Sequence, residues 1–80
     1  MNLWFVYILK CSDGTLYTGI TTDVDRRLAE HQAGTASKYT SAKGAEKMVY
    51  VEEVTNRSAA SAREAEIKKL SRPQKERLIS

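Results

Sequence analysis

The segment Leu3-Trp4-Phe5-Val6-Tyr7-Ile8-Leu9-Lys10-Cys11 constrains the fold more than any other part of this 80-residue chain. Read as a strand, it puts Leu3, Phe5, Tyr7, Leu9 and Cys11 on one side and Trp4, Val6, Ile8 and Lys10 on the other, so both faces are apolar. A strand of that kind belongs at the centre of a sheet with helices covering it front and back. The run is far shorter than the about 20 residues a membrane span needs. It also lacks a basic leader, which argues against a secretory signal. A chain of this length has room for one small domain, so residues 1–80 are read as a single unit. Hydrophobic residues at 41% and charged residues at 29% exclude a disordered chain. The lone Cys11 excludes an internal disulfide or a thiolate zinc site and suits a reducing cytoplasm. A net charge of +3 permits a polyanionic partner without naming one.

After a turn signal at Ser12-Asp13-Gly14, residues Leu16 to Thr21 form a second strand candidate and hence a β-hairpin. A two-residue turn at Asp13-Gly14 would send Tyr7 and Tyr17 to opposite faces. A three-residue loop, Ser12 to Gly14, with Gly14 left-handed in a type I turn plus G1 bulge, sets Tyr7 opposite Gly19 and Tyr17 opposite Leu9. The second register is expected, with both tyrosines on one face and a gap beside Tyr7 where Gly19 lacks a side chain. Thr22, with Asp25 three residues on, reads as the cap of a helix running to about Gln32. Gly34 to Gly44 shows no period and reads as a loop. Met48 to Val54 reads as a third strand whose Glu52 and Glu53 suit an edge. Ser58 to about Leu70 is helical, and Ser71 caps a short last helix with Pro73 in its first turn.

Polar groups stand where this pattern calls for apolar ones, and such groups cost free energy unless they have partners or a task. The inward stripe of the first helix is Val24, Arg27, Leu28 and His31, two of them ionisable and one turn apart. In the later helix Ala60, Glu64 and Ile67 share a stripe, leaving a carboxylate at the edge of an apolar face. Each residue taken alone also has a plainer role. The tyrosines suit packing, Arg27 suits a solvated pair with Arg26, and His31 suits a helix end. Glu64 suits a capping box with Ser61 if that helix starts later.

Together, Phe5-Val6-Tyr7 and Tyr17-Thr18-Gly19 resemble the two defining motifs of the GIY-YIG nuclease superfamily, with Tyr7, Tyr17 and Arg27 at steps of ten. Leu16 to Arg27 with His31, the stretch Ser37-Lys38-Tyr39-Thr40, and Arg63 to Arg72 are similar to its small single-domain bacterial members. The resemblance runs from about Trp4 to Ile79. It implies an α/β (α+β) core with a three-stranded antiparallel sheet flanked by helices, and metal-dependent hydrolysis of DNA phosphodiesters. Carried over, it makes Tyr7 and Tyr17 the motif tyrosines, Arg27 the phosphate-binding arginine, His31 the histidine one turn later, and Glu64 the sole carboxylate ligand of Mg²⁺ or Mn²⁺. Magnesium suits one carboxylate completed by waters and substrate oxygens. A free tyrosine is only on the order of 0.1% ionised at neutral pH, so either tyrosine needs nearby cations or a proton network, and His31 is an alternative base or relay.

The chain departs from the superfamily pattern at Phe5, which replaces a glycine. It also has Ile20 and Thr21 where some relatives carry a lysine after the second motif, and no asparagine in its final segment. Glu66 competes with Glu64 as ligand. Between Arg63 and Arg77 six cations oppose three acids, and Lys68, Lys69 and Arg72, with Lys38, Tyr39 and Lys43, are read as nucleic-acid contacts. With no second domain to read duplex sequence, the expected substrate is single-stranded or branched DNA, in repair or recombination. The expected enzyme is cytoplasmic, without a membrane, and a monomer or weak homodimer. The alternative is a non-catalytic nucleic-acid-binding module, or a nuclease subunit activated by a partner protein.

Overall fold

The computed structural model describes residues 3–80, so Met1 and Asn2 of the expected 1–80 unit lie outside the described residues. Strand β1 (Trp4–Cys11) and strand β2 (Leu16–Thr21) form the hairpin, followed by helices α1 (Val24–Gln32) and α2 (Lys38–Lys43). Strand β3 (Ala45–Val54) and helices α3 (Arg57–Lys68) and α4 (Arg72–Ile79) complete the chain. The sheet order is β2-β1-β3, antiparallel throughout, so β1 is central and β3 lies at an edge, as the residue pattern of each requires.

The hairpin has the three-residue loop. Cys11 N–H donates to Thr15 O at 2.8 Å and Gly14 N–H to Cys11 O at 2.9 Å. Gly14 takes φ +86°, a left-handed value that a side chain would resist. Tyr7 therefore pairs with Gly19 and Leu9 with Tyr17.

The two faces of β1 meet different surroundings. Val6 and Ile8 enter an apolar core with Ala60 and Ile67 of α3, joined by Leu16, Ile20, Leu78 and Ile79. The opposite face carries Tyr7, whose partners are His31 on α1 and, through it, Thr40 on α2. One layer is thus held by apolar burial, and the other adds buried hydrogen bonds to the burial of Leu9 and Cys11.

Four local expectations are corrected. Asp23, not Thr22, caps α1, because its carboxylate accepts from Arg26 N–H at 3.0 Å while Thr21 Oγ1 accepts from Asp23 N–H. The expected loop from Gly34 to Gly44 contains α2, opened by the Ser37 side chain on Thr40 N–H. A helix of six residues is too short to show a hydrophobic period. Strand β3 begins at Ala45, three residues before Met48, with register shifts against β1 at Ile8/Leu9 and Lys10/Cys11 that obscure its alternation. Helix α3 begins after Asn56, whose side chain accepts from Ala59 N–H, so Ser61 lies inside the helix and no capping box involves Glu64. Helix α4 has the expected Ser71 cap, closed into a capping box by Gln74, with Pro73 in its first turn.

Candidate active site

Strand parity and the hairpin loop bring Tyr7 and Tyr17 to one face, and α1 lowers His31 onto both. The Tyr7 hydroxyl and His31 Nε2 are 2.7 Å apart, and His31 Nδ1 and Thr40 Oγ1 are also 2.7 Å apart. The His31 ring meets Tyr7 and Tyr17 edge-on, with centroids at 5.7 and 5.3 Å. Tyr7 and His31 are each 2% exposed and Thr40 is fully buried, so these hydrogen bonds are largely shielded from bulk water and each is costly to lose.

Burial pushes the Tyr7 phenol well above its ordinary pKa, and neighbouring Tyr17 raises it further. Arg27 opposes the shift and Glu64 adds to it, which places both side chains within electrostatic reach of Tyr7. Burial first, and Arg27 second, hold His31 below its ordinary value of 6.5, with Glu30 opposing. At neutral pH the imidazole is therefore a neutral acceptor and Tyr7 a neutral phenol.

Gly19 does not leave the expected gap beside Tyr7, because the tyrosine ring itself fills it. A Cβ built on Gly19 would collide with the Tyr7 hydroxyl oxygen and lie 2.6 Å from Cζ. The absent side chain gives room for Tyr7 to reach His31, not for a ligand.

Arg27 lies on the same helix one turn before His31. Its Nη1 reaches Glu30 Oε1 at 3.3 Å, while its Nε is buried without a hydrogen-bond partner. Glu64, from α3, is partly buried with its side chain 25% exposed, and Lys68 Nζ stands 3.4 Å from its carboxylate. Glu66 is exposed and paired with Arg63 at 3.6 Å, which leaves Glu64 the more enclosed of the two.

Residues 3–77 match the family model described as the GIY-YIG catalytic domain. The chain belongs to the GIY-YIG family. Among its relatives, a UPF0213 protein of Natronomonas pharaonis is 53% identical over 76 residues, covering 95% of this chain and 89% of that protein. A UPF0213 protein of Yersinia pestis is 49% identical over 78 residues, covering 98% and 82%. The solution NMR structure of a UPF0213 protein from Bacillus halodurans is 44% identical with a TM-score of 0.61, covering 96% of this chain and 82% of that one.

In this GIY-YIG chain no three His, Cys, Asp or Glu side chains converge on one point among the described residues. A divalent ion would be held through Glu64 alone, with waters and substrate oxygens completing its shell, a donor set that fits Mg²⁺ or Mn²⁺. No helix among the described residues is long and apolar enough to cross a membrane.

The residues read as nucleic-acid contacts fall into two groups. Tyr39 stacks on Tyr17 with centroids 5.7 Å apart and stays 41% exposed, and Lys38 is exposed beside it. Lys43 lies 5.5 Å from the Tyr39 ring centroid and pairs with Asp13 at 2.8 Å. That hydrogen bond, with those from Thr15, holds the Asp13 carboxyl well below the usual range. On the other side, Lys68 is bound to Glu64, while Arg72 is bound to Glu76 at 2.7 Å and donates to Gly14 O at 2.9 Å. Arg72 thus ties α4 to the hairpin. Arg63 is bound to Glu52 at 3.1 Å. The expected concentration of unpaired charge is accordingly reduced to Lys69, Lys75 and Arg77, none of which has an ion pair among the described residues.

Sequence reasoning did not single out Thr40. Its only signal was its place in Ser37-Lys38-Tyr39-Thr40, a run without hydrophobic period.

Proposed function

We propose that this chain is a divalent-metal-dependent endonuclease that hydrolyses DNA phosphodiesters, on single-stranded or branched DNA. The observation that carries this reading is the Arg27 guanidinium, whose side chain is about a third exposed, within electrostatic reach of the Tyr7–His31 pair. Its exposed N–H groups can hold the non-bridging oxygens of a phosphate in charge-assisted geometry. Bound Mg²⁺ or Mn²⁺ at Glu64 would add neutralisation of phosphate charge during the reaction.

The remaining chemistry belongs to the side chains. Arg27 binds and orients the phosphate. Tyr7 is too weak an acid to wait as a phenolate, but it can pass a proton. Its hydroxyl proton moves to His31 Nε2 as its oxygen takes one from the attacking water, leaving a neutral phenol and an imidazolium. Hydroxide bonds to phosphorus as the bond to the leaving oxygen breaks; the leaving oxygen takes a proton from solvent water, and the imidazolium returns its proton to solvent through the Tyr7 hydroxyl. Tyr17, half-buried and in edge contact with His31, orients that water from the open side. The exposed Tyr39 offers a ring for stacking an unpaired base, which supports a single-stranded or branched substrate.

The test is cleavage of labelled single-stranded, duplex and flapped DNA in Mg²⁺ or Mn²⁺, with Glu64→Ala and Arg27→Ala as controls. We expect metal-dependent cleavage that Glu64→Ala abolishes and Arg27→Ala lowers by about a hundredfold or more. The Lys68 ammonium on Glu64 favours a second reading, a nucleic-acid-binding module without catalysis. Binding without cleavage in either metal would establish that module and remove the nuclease.

A further inference from the structure

The proposed chemistry leaves Thr40, within Ser37-Lys38-Tyr39-Thr40, without a task. Thr40 is the one fully buried residue of α2. Its hydroxyl lies 2.7 Å from His31 Nδ1 and also donates to Ser37 O at 3.3 Å. Its own backbone N–H is held by the Ser37 side chain, so the residue is fixed at both ends.

One direction of the chain gives every proton an acceptor. A hydroxyl has one proton and a carbonyl oxygen can only accept. With the Thr40 proton on Ser37 O, Thr40 Oγ1 must accept from His31, which puts the imidazole proton on Nδ1. Nε2 is then bare and accepts from the Tyr7 hydroxyl. The opposite tautomer would leave the Tyr7 hydroxyl proton without its 2.7 Å partner and take the Thr40 proton away from Ser37 O.

We infer that Thr40 is a positioning residue that locks His31 in its Nδ1–H tautomer and so keeps Nε2 open to the Tyr7 proton. The short helix α2 exists to deliver that hydroxyl, with Ser37 supplying both its cap and the carbonyl that orients it. The role in turnover rests on the proposed nuclease activity; the tautomer itself does not.

The experiment pairs two readouts on the ¹⁵N-labelled full chain: the tautomer of His31 by long-range ¹H–¹⁵N correlation above pH 7, and DNA cleavage kinetics. Wild type and Thr40→Ser are expected to show Nδ1–H. In Thr40→Val, whose methyl groups cannot accept, the proton is expected to move to Nε2, where it donates to the Tyr7 oxygen and reverses the relay. That variant should lose about 10–100-fold in kcat, the usual size for removing a partner that orients a functional histidine, with KM unchanged. Thr40→Ser should recover most of the rate. An Nε2–H tautomer in the wild type, or an Nδ1–H tautomer surviving in Thr40→Val, overturns the assignment, and the wild-type measurement needs no folded variant. If the wild type shows Nδ1–H, Thr40→Val switches it and neither protein cleaves DNA, the assignment stands and the nuclease reading falls.

Discussion

Replacing Gly19 by alanine tests whether the site is built on steric room at that position. By backbone propensity alone, Gly→Ala within a strand stabilises by about 0.5–1 kcal/mol, and Gly19 is not among the glycines with positive φ, so no torsional strain opposes the change. The new Cβ would nevertheless lie 2.6 Å from Tyr7 Cζ and 3.1 Å from Cε2, and closer still to the hydroxyl oxygen. Carbon atoms rest about 3.5–4.0 Å apart, so the ring or the strand must move by about 1 Å. Tyr7 is buried and held to His31 at 2.7 Å, and a shift of that size breaks the bond. Overpacking costs about 1–3 kcal/mol and a lost buried hydrogen bond about 1–3 kcal/mol. After the backbone gain is subtracted, a net loss of about 1–5 kcal/mol remains. For a domain of this size that lowers Tm by on the order of 5–40 °C. Thermal and urea unfolding followed by circular dichroism measure it. An alanine variant melting at or above the wild-type temperature would show that Tyr7 is not clamped over this position, and the hydrogen-bonded chain to Thr40 would fall with it.

Lys68→Ala should tighten Mn²⁺ binding, because it frees the Glu64 carboxylate from a competing ammonium at 3.4 Å; calorimetric titration showing weaker binding would contradict this. Stability should also fall with acidification through His31. Its native pKa lies below 6.5, so the unfolded chain takes up a proton that the native state resists. The contribution is full above about pH 6.5 and is lost as the pH drops below it. Urea midpoints of wild type between pH 7.5 and 5 should decline more than those of His31→Gln, and equal declines would refute the assignment.

Much of the arrangement around Tyr7 is set locally. The parity of β1 put Tyr7 and the apolar Val6–Ile8 pair on opposite faces. Loop chemistry at Ser12-Asp13-Gly14 then set the register that matched Tyr7 with Gly19. Helical spacing aligned Arg27 with His31, and Ala60 with Glu64 and Ile67. All of these follow from repeats of two or 3.6 residues acting within a single element or across one tight turn.

Other features had no such signal. The match of Arg72 with Gly14 joins residues 58 apart, and that of Arg63 with Glu52 joins α3 to β3. Thr40 reaches His31 only because α2 packs beside α1. From the sequence alone came the central strand, the hairpin register and the family of residues facing one another. What holds Arg72 to the hairpin, why Gly19 is glycine, and what orients His31 were decided by the tertiary structure, since a hydrogen bond or a collision between distant segments depends on packing that no local period encodes.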